Sequence, residues 1–436
     1  MTMNNDAKII LWGNVVGAVT WLDDREIAVF QYHPGFLGSG IELSPLMMPL
    51  RDFPYEFPAL PRNTFKGLPG MLADSLPDTF GNALIDEWLA SQGRTASGFH
   101  PVERLCYIGH RGMGALEFEP STISVRSQAH ELEVSKLVEL ADQVLDQRKG
   151  LGGVFGAEHD KEVIEDILRV GTSAGGARAK AILAWNRETG EFRSGQVDAG
   201  EGFEHWLMKF DGVSNNRDKE LADPKGYGEI EYAYYLMARA AGVQMCECQL
   251  HREGGRSHFM TKRFDRTSKG QKRHMQTLGA IAHYDYNQSA SYSYEQAIQV
   301  MKRLNLPREE LEQQVLRAFF NVIARNQDDH VKNIAFLMNR RGQWSLSPAY
   351  DVTYSYDPAG EWTNRHQMSI NGKRDAFTRE DLIQLANQAG IKKSPAMGML
   401  ERVTIAVRGW ANFAEQAEIP KKRVDQIAKS HRIFLL

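Results

Sequence analysis

The feature that most constrains the fold of this 436-residue chain is an Asp-x-x-x-x-Asn spacing at Asp328 and Asn333, followed by a second acid at Asp351. Apolar residues at helical spacing over 308–325 precede the pair, and strand-like runs lie between the pair and Asp351. Carboxylate and amide oxygens are hard ligands that suit Mg²⁺. The pattern therefore predicts a Mg²⁺ site in which Asn333 and Asp351 are the metal ligands.

Protein kinases use the same order of residues and the same Asp-to-Asn spacing. In those enzymes the first aspartate orients the attacking hydroxyl, the asparagine holds one Mg²⁺, and the later aspartate holds Mg²⁺ against the nucleotide phosphates. By this parallel, Asp328 is the predicted catalytic residue. The chain is then expected to transfer a phosphoryl group from ATP.

The residues within this motif have structural interpretations as well as functional ones. His330 and Lys332 could contact nucleotide or substrate phosphate. Alternatively, Asp328-Asp329 is a solvated loop after a helix, and His330 is a structural histidine. The order of features along the chain favours the functional interpretation. A glycine-rich loop at 173–180, Lys209 on a predicted strand and Glu231 on a predicted helix precede this motif.

Two earlier features support a phosphate site. The glycine-rich run 173–180 could form a flexible loop whose backbone N–H groups approach phosphates closely, although an ordinary surface turn is equally compatible with it. Lys209 lies near the end of an apolar strand-like run, 205–210, where an ammonium group needs an anionic partner. Phosphate oxygens or Glu231 on the following predicted helix could be that partner, and a lysine that reaches solvent is the alternative.

The chain is too long for one small core, so two or three structural units are expected. The predicted fold class is α+β. We divide it into a β-rich N-terminal subdomain over 1–125, a nucleotide-binding lobe with the glycine-rich loop over 126–265, and a mostly helical catalytic lobe over 266–436. Local patterns within these units include a strand-turn-strand unit at 9–21 and one helix at 394–414.

Composition excludes several classes of protein. The net charge of −3 gives no global basic field, so nucleic acid is not expected as a direct, dominant partner. The basic segment 420–432 is interpreted as a solvated helix face rather than a DNA contact. The sequence contains no His-Glu-x-x-His, which argues against a zinc metalloprotease of that type.

The cysteines and the apolar runs indicate a cytoplasmic protein. Three cysteines provide no disulfide framework, and Cys246-x-Cys248 lacks the two-residue gap of a zinc knuckle, so reduced thiols are expected. No basic stretch followed by an apolar one begins the chain, and no apolar run approaches the ~18 residues of a membrane span.

Seven segments, taken together and in order, resemble the HipA family of serine/threonine kinases, the toxin half of bacterial toxin–antitoxin modules. The resemblance extends over nearly the whole chain. The segments are 74–78 with Leu76-Pro77-Asp78, 112–116, 173–180, Lys209-Phe210, 262–266, 326–333 and 346–351.

The resemblance implies a protein-kinase-like, two-lobed fold with an extra N-terminal subdomain and a mostly helical C-terminal lobe, together with ATP and Mg²⁺ as cofactors. Asp328 matches the family's catalytic base, and Ser173 matches the serine that these kinases autophosphorylate. In place of the Gln and the Glu or Pro that many members have before the loop lysine, this chain has Gly176 to Lys180 as Gly-Ala-Arg-Ala-Lys. The predicted nucleotide-binding residues are Gly175, Gly176, Ala177, Arg178, Ala179, Lys180, Lys209, Lys262, Arg263, Phe264, His330, Val331, Lys332, Asn333, Tyr350 and Asp351.

The resemblance also implies partners. These are a HipB-like antitoxin dimer, operator DNA bound mainly through the antitoxin, and a protein substrate, of which glutamyl-tRNA synthetase is the family's best-known example. Two other functions remain open: a corepressor that acts with the antitoxin on DNA through a vestigial nucleotide site, and a small-molecule kinase of related fold.

Overall fold

The computed structural model describes residues 4–91, 93–95, 98–122, 131–147, 167–168, 170–171, 178–213 and 225–435. The strands are β1 Asp6–Leu11, β2 Asn14–Leu22, β3 Ile27–Tyr32, β4 Leu116–Glu119, β5 Lys180–Asn186, β6 Phe192–Ser194, β7 Phe203–Lys209, β8 Cys248–Glu253, β9 Arg256–Lys262, β10 His274–Thr277, β11 Ala335–Met338 and β12 Trp344–Leu346.

The helices lie between and after these strands. They are α1 Pro34–Leu37, α2 Arg62–Phe65, α3 Gly70–Ala73, α4 Thr79–Ser91, α5 Pro101–Ile108, α6 Val134–Gln147, α7 Tyr227–Ala240, α8 Leu278–Ala282, α9 Tyr294–Arg303, α10 Arg308–Ala324, α11 Arg379–Gln388, α12 Lys393–Arg408, α13 Trp410–Gln416 and α14 Lys421–Ala428.

The N-terminal sheet is antiparallel, in the order β3-β2-β1-β4. The predicted strand-turn-strand unit is confirmed: β1 and β2 pair across a tight turn in which Trp12 and Gly13 have φ of 51° and 82°. Two positive φ values give a turn whose twist matches that of the strands it joins. Ile9, Val19 and Phe30 are fully buried in the core that this sheet forms with α5.

The second sheet is also antiparallel, in the order β6-β5-β7-β9-β8, with α7 packed against β8 and β9. Its register places Lys180 on β5 directly opposite Lys209 on β7. Residues directly opposite one another project to the same face, and like charges there are destabilising. Each lysine therefore needs its own acidic partner.

The C-terminal unit surrounds α10, which packs against α9, α11 and α12. Leu316, Phe319 and Ile323 of this helix are buried in the largest hydrophobic core of the chain. The helix ends at Arg325, whose φ of 61° lies in the left-handed region. This sharp end directs the following residues, which include Asp328, away from the helix axis.

The structure corrects two local predictions. The helix predicted over 394–414 is two helices, α12 and α13, which meet at Gly409. Glycine is a poor helix former, and a Cβ at this position would lie 3.2 Å from the Ala406 carbonyl oxygen and 3.4 Å from the Phe413 ring. In the basic segment 420–432 the helix α14 has exposed lysines, but His431 and Arg432 are buried, so the solvated-face interpretation fails at its end.

The thiols agree with the sequence prediction, since Cys106, Cys246 and Cys248 are all free. Within the described ranges, no helix combines the length and the apolar character that a membrane crossing requires.

Candidate active site

A lysine held between two acids forms the centre of the site. Lys209, at the end of β7, places its Nζ 2.6 Å from Glu231 Oε1 and 2.5 Å from Asp351 Oδ1. Glu231 is buried on α7, whereas the Asp351 side chain is 34% exposed. The sequence offered Glu231 or phosphate as the partner of Lys209, and the structure contains the Glu231 pair.

The three groups set each other's protonation. Burial would lower the pKa of Lys209, but Asp351 and Glu231 outweigh burial and raise it, so the lysine stays charged. Burial would raise the pKa of Asp351, but the ammonium outweighs it and lowers that pKa. Burial dominates at Glu231 and raises its pKa. Asp351, the more exposed of the two acids, is therefore ionised and is the carboxylate that a cation can reach.

Asp351 also has a constrained backbone. Its φ of 51° lies in the left-handed region, which costs a non-glycine residue free energy and persists only where neighbouring contacts enforce it. The preceding Tyr350 is tied down by a hydrogen bond from its hydroxyl to the Lys332 carbonyl oxygen. Strain of this kind concentrates at functional sites.

Asp328 lies on the segment that follows α10. Its Oδ1 accepts a hydrogen bond from the Trp362 indole N–H at 2.7 Å, and His330 Nε2 lies 3.7 Å from the same oxygen. The Asn333 side-chain amide donates to the Asp328 backbone carbonyl at 2.7 Å, which closes the Asp-x-x-x-x-Asn turn. The Asp328 side chain is 37% exposed, so a ligand can reach it.

Asp329 has a different environment, and the solvated-loop alternative fails for it. Its carboxylate is buried and accepts from the Tyr294 hydroxyl at 2.7 Å and from the Gln367 backbone N–H at 2.8 Å, with His366 Nδ1 2.8 Å from Oδ2. Burial would raise the pKa of Asp329, but His366 and these hydrogen bonds lower it. Asp329 anchors the segment from beneath, and Asp328 is the one of the two carboxylates that a ligand can reach.

The N-terminal unit contributes two further acids. Asp78 lies 2.8 Å from the Nζ of Lys180, and both side chains are almost fully buried. Asp74 accepts from the backbone N–H and the hydroxyl of Thr277, at 2.8 and 2.9 Å. Lys180 therefore has its own acidic partner, as its position opposite Lys209 requires.

The predicted residues around the nucleotide loop divide into two groups. The Arg178 guanidinium stacks 4.3 Å over the Tyr227 ring and lies 4.0 Å from Glu231, so it joins the Lys209 cluster. Ala179 is buried, and its carbonyl accepts from the Phe210 N–H at 2.9 Å. Ser173, Gly175, Gly176 and Ala177 lie outside the described residues.

The residues 262–264, which the sequence resemblance matches to the hinge that holds adenine, have mixed surroundings. Lys262 is paired with Glu204, and the Phe264 ring lies 5.5 Å from the Tyr350 ring. The Arg263 guanidinium is buried against Asp265, 2.6 Å away, so its side chain is directed into the core rather than towards a ligand. A nucleotide could therefore contact the backbone of Arg263 but not its side chain.

The oxygen donors of the site fit a Mg²⁺–nucleotide complex. Among the described residues, no three His, Cys, Asp or Glu side chains are grouped so that they could hold a metal by themselves. Mg²⁺ in nucleotide sites is bound through one or two protein oxygens, with phosphates and water completing the shell. Asn333 and the ionised Asp351 match that requirement. Their roles, like those of the other predicted site residues, stay predictions.

Four residues of the site were missed from the sequence: Tyr294, Trp362, His366 and Gln367. Three of them lie in one short segment, 362–367, that is hydrogen-bonded to residues 327–329, which we call the catalytic segment after the predicted role of Asp328. None belongs to a motif with a recognisable spacing, so the sequence contained no signal for them.

Comparisons with known proteins agree with this architecture. The family model for the HipA N-terminal domain matches residues 7–119, and the model for the HipA-like C-terminal domain matches residues 172–411. No curated protein sequence matched the chain.

Two solved structures are similar to this chain. One is HipA of Shewanella oneidensis MR-1, in a complex with HipB and operator DNA; it is 16% identical, with 98% of this chain and 96% of that chain covered and a TM-score of 0.66. The other is the Helicobacter pylori proinflammatory kinase CtkA, 12% identical, with 60% and 93% covered and a TM-score of 0.34. The predicted α+β, two-lobed fold with an added β-rich N-terminal unit is confirmed, and the chain belongs to the HipA family.

Proposed function

We propose that this protein is a serine/threonine protein kinase that transfers the γ-phosphate of ATP to a hydroxyl of a protein substrate. The observation that carries the proposal is the Lys209 ammonium held between Glu231 and Asp351. A half-buried lysine that shares a helix glutamate and a partly exposed aspartate is the arrangement kinases use to place phosphates.

The chain's own residues supply positioning and proton transfer. Lys209 neutralises phosphate oxygens, and Asn333 and Asp351 would hold Mg²⁺, which supplies further charge neutralisation when bound. Asp328 accepts the proton of the substrate hydroxyl. The hydroxyl oxygen bonds to the γ-phosphorus as the bond to the β,γ-bridging oxygen breaks, and its electron pair leaves with ADP.

The first experiment replaces the proposed base. Asp328→Gln should abolish ATP-dependent phosphate incorporation, by at least about 10²-fold, because a general base contributes on that order. Glu361→Gln, at an exposed neighbour of Trp362, is the matched control and should retain activity. Circular dichroism should show both variants folded. Phosphate incorporation by Asp328→Gln at the wild-type rate would sink the assigned role.

Autophosphorylation is the second part of the proposal, and it comes from the family resemblance. Ser173 is the proposed modified residue, and its phosphorylation is proposed to switch the enzyme off by ejecting the loop. Mass spectrometry after incubation with ATP should find the phosphate on Ser173 and should lose it in Ser173→Ala. Thr172→Ala is the neighbouring control. Phosphate found on another residue would refute the assignment.

The proposed partner is a HipB-like antitoxin dimer, with operator DNA bound mainly through it. The similar Shewanella structure holds HipB and operator DNA, and the net charge of −3 here supports an indirect DNA contact. A mobility-shift assay should show retardation of operator DNA by the two proteins together and little by this chain alone. Glutamyl-tRNA synthetase is the first protein substrate to test.

The corepressor alternative predicts a nucleotide site without activity. Titration of the purified protein with ATP, with and without Mg²⁺, separates the two functions. The kinase proposal expects binding that strengthens with Mg²⁺, because Asp351 and Asn333 then gain a cation to coordinate. Transfer of labelled phosphate to a metabolite instead of a protein would favour the small-molecule kinase.

A further inference from the structure

Trp362 makes a contact with Asp328 that the kinase parallel does not supply. Its indole N–H donates to Asp328 Oδ1 at 2.7 Å. The carboxylate of an aspartate can rotate about the Cβ–Cγ bond, and this rotation moves the oxygen that would receive a proton. A fixed donor on one oxygen selects one orientation, because a hydrogen bond to a charged acceptor is stronger than one between neutral groups.

The Trp362 backbone is itself held in place. The Gln367 side-chain amide donates to the Trp362 carbonyl. The Gln367 N–H donates to Asp329 Oδ1 at 2.8 Å, and the Gln327 side-chain amide donates to the Thr363 carbonyl at 3.3 Å. Three consecutive residues of the catalytic segment, 327–329, are thus bound to the segment 362–367.

These contacts distinguish Trp362 from a packing residue. Asp329 and Gln327 are buried, so their bonds fix the two segments to one another. Trp362 and Asp328 are both partly exposed, and their bond lies where a substrate would approach. A donor at that place, on a rigid support, can orient the carboxylate of Asp328.

We propose that Trp362 is a positioning residue for phosphoryl transfer: its indole N–H holds Asp328 Oδ1 and so fixes one orientation of the carboxylate towards the incoming hydroxyl. This inference rests on the kinase function proposed above.

The test compares two substitutions at this position. Trp362→Phe keeps an aromatic ring and removes the indole N–H. It should lower kcat by about 10-fold to 100-fold, while KM for ATP stays within about twofold of the wild-type value. Trp362→Gln restores an N–H donor without the ring and should return kcat towards the wild-type value. Trp344→Phe is the matched control. The indole N–H of Trp344 donates to the carbonyl oxygen of Glu42 at 3.2 Å, and Glu42 does not belong to the catalytic segment.

The outcomes separate this inference from the function on which it rests. A wild-type protein that transfers no phosphate overturns the kinase proposal and this inference with it. An active wild type with Trp362→Phe kcat within about twofold of it overturns the positioning role alone. A Trp362→Phe variant that raises KM for ATP as much as it lowers kcat also overturns that role, because general disruption of the site would then explain the loss. Thermal unfolding of each variant confirms that it is folded.

Discussion

The buried ion pair between Asp78 and Lys180 makes a testable connection between the N-terminal unit and the nucleotide lobe. The two groups are 2.8 Å apart, with side chains 5% and 2% exposed. Removal of one partner from such a pair costs about 3–5 kcal/mol, because the other charge remains buried without compensation. Asp78 also accepts the Gly81 N–H at 2.7 Å, a bond that asparagine can keep. Asp78→Asn should therefore cost about 3 kcal/mol, at the lower end of that range.

A double-mutant cycle isolates the pair from the other contacts of each residue. We expect Asp78→Asn and Lys180→Met to be strongly destabilising alone, with a coupling energy of about 2 kcal/mol between them. The measurement is urea unfolding of the four proteins at pH 7.5. Asp425→Asn is the control, since its pair with Lys421 is exposed and should contribute less than about 0.5 kcal/mol. Additivity of the two buried substitutions to within about 0.5 kcal/mol would refute the reasoning.

The same variants test the predicted nucleotide role of Lys180. If Lys180 also contacts phosphate, Asp78→Asn should tighten ATP binding, because a competing carboxylate is gone, while Lys180→Met should weaken it. Equal ATP affinity in all four proteins would confine Lys180 to a structural role.

Three further predictions concern the described core. His274 is buried, and burial lowers its pKa to about 3, so the unfolded state binds a proton before the folded state does as the pH falls below 6.5. The contribution of neutral His274 to the free energy of unfolding is therefore complete above that pH, and about 2 kcal/mol of it is lost by pH 5. His274→Gln should reduce the measured slope of unfolding free energy against pH. Asp329→Asn should lower unfolding free energy in urea by about 3 kcal/mol, because three donors then face an amide. Gly228→Ala should yield little folded protein on size-exclusion chromatography, since its Cβ would lie 1.9 Å from the Ser257 carbonyl oxygen, whereas Gly398→Ala, with nothing within 4 Å, should raise the thermal midpoint.

Features set by neighbouring residues could be predicted from the sequence. The strand-turn-strand pattern at 9–21 predicted β1 and β2, and helical periodicity over 308–325 predicted α10 within one residue of its ends. The Lys209–Glu231 pair was also within reach, because an ammonium group in an apolar strand requires an anion and Glu231 lies on the next helix.

Features set by distant residues could not be predicted. Asp328 and Asp329 are adjacent and chemically identical, yet only Asp329 is buried, because Tyr294 and the segment 362–367 happen to fold over it. The contact of Trp362 with Asp328 joins residues 34 apart, and the Asp78–Lys180 pair joins residues about three times as far apart. No periodicity or spacing rule encodes such pairings, since they follow from how whole units pack.

Long-range contacts join the region matched by the N-terminal family model, 7–119, to the region matched by the C-terminal one, 172–411. Lys180 and Lys209 face each other across β5 and β7, and the acid that neutralises Lys180 comes from the N-terminal region. The Gly114 N–H, also N-terminal, donates to buried Asp265 at 2.8 Å beside the predicted hinge. Without Asp78, the buried Lys180 side chain would lose the carboxylate that lies 2.8 Å from its Nζ, and breaking a buried pair of this kind costs about 3–5 kcal/mol. The N-terminal unit therefore contributes to the predicted phosphate site, because Asp78 supplies negative charge beside two lysines that share one face of the sheet.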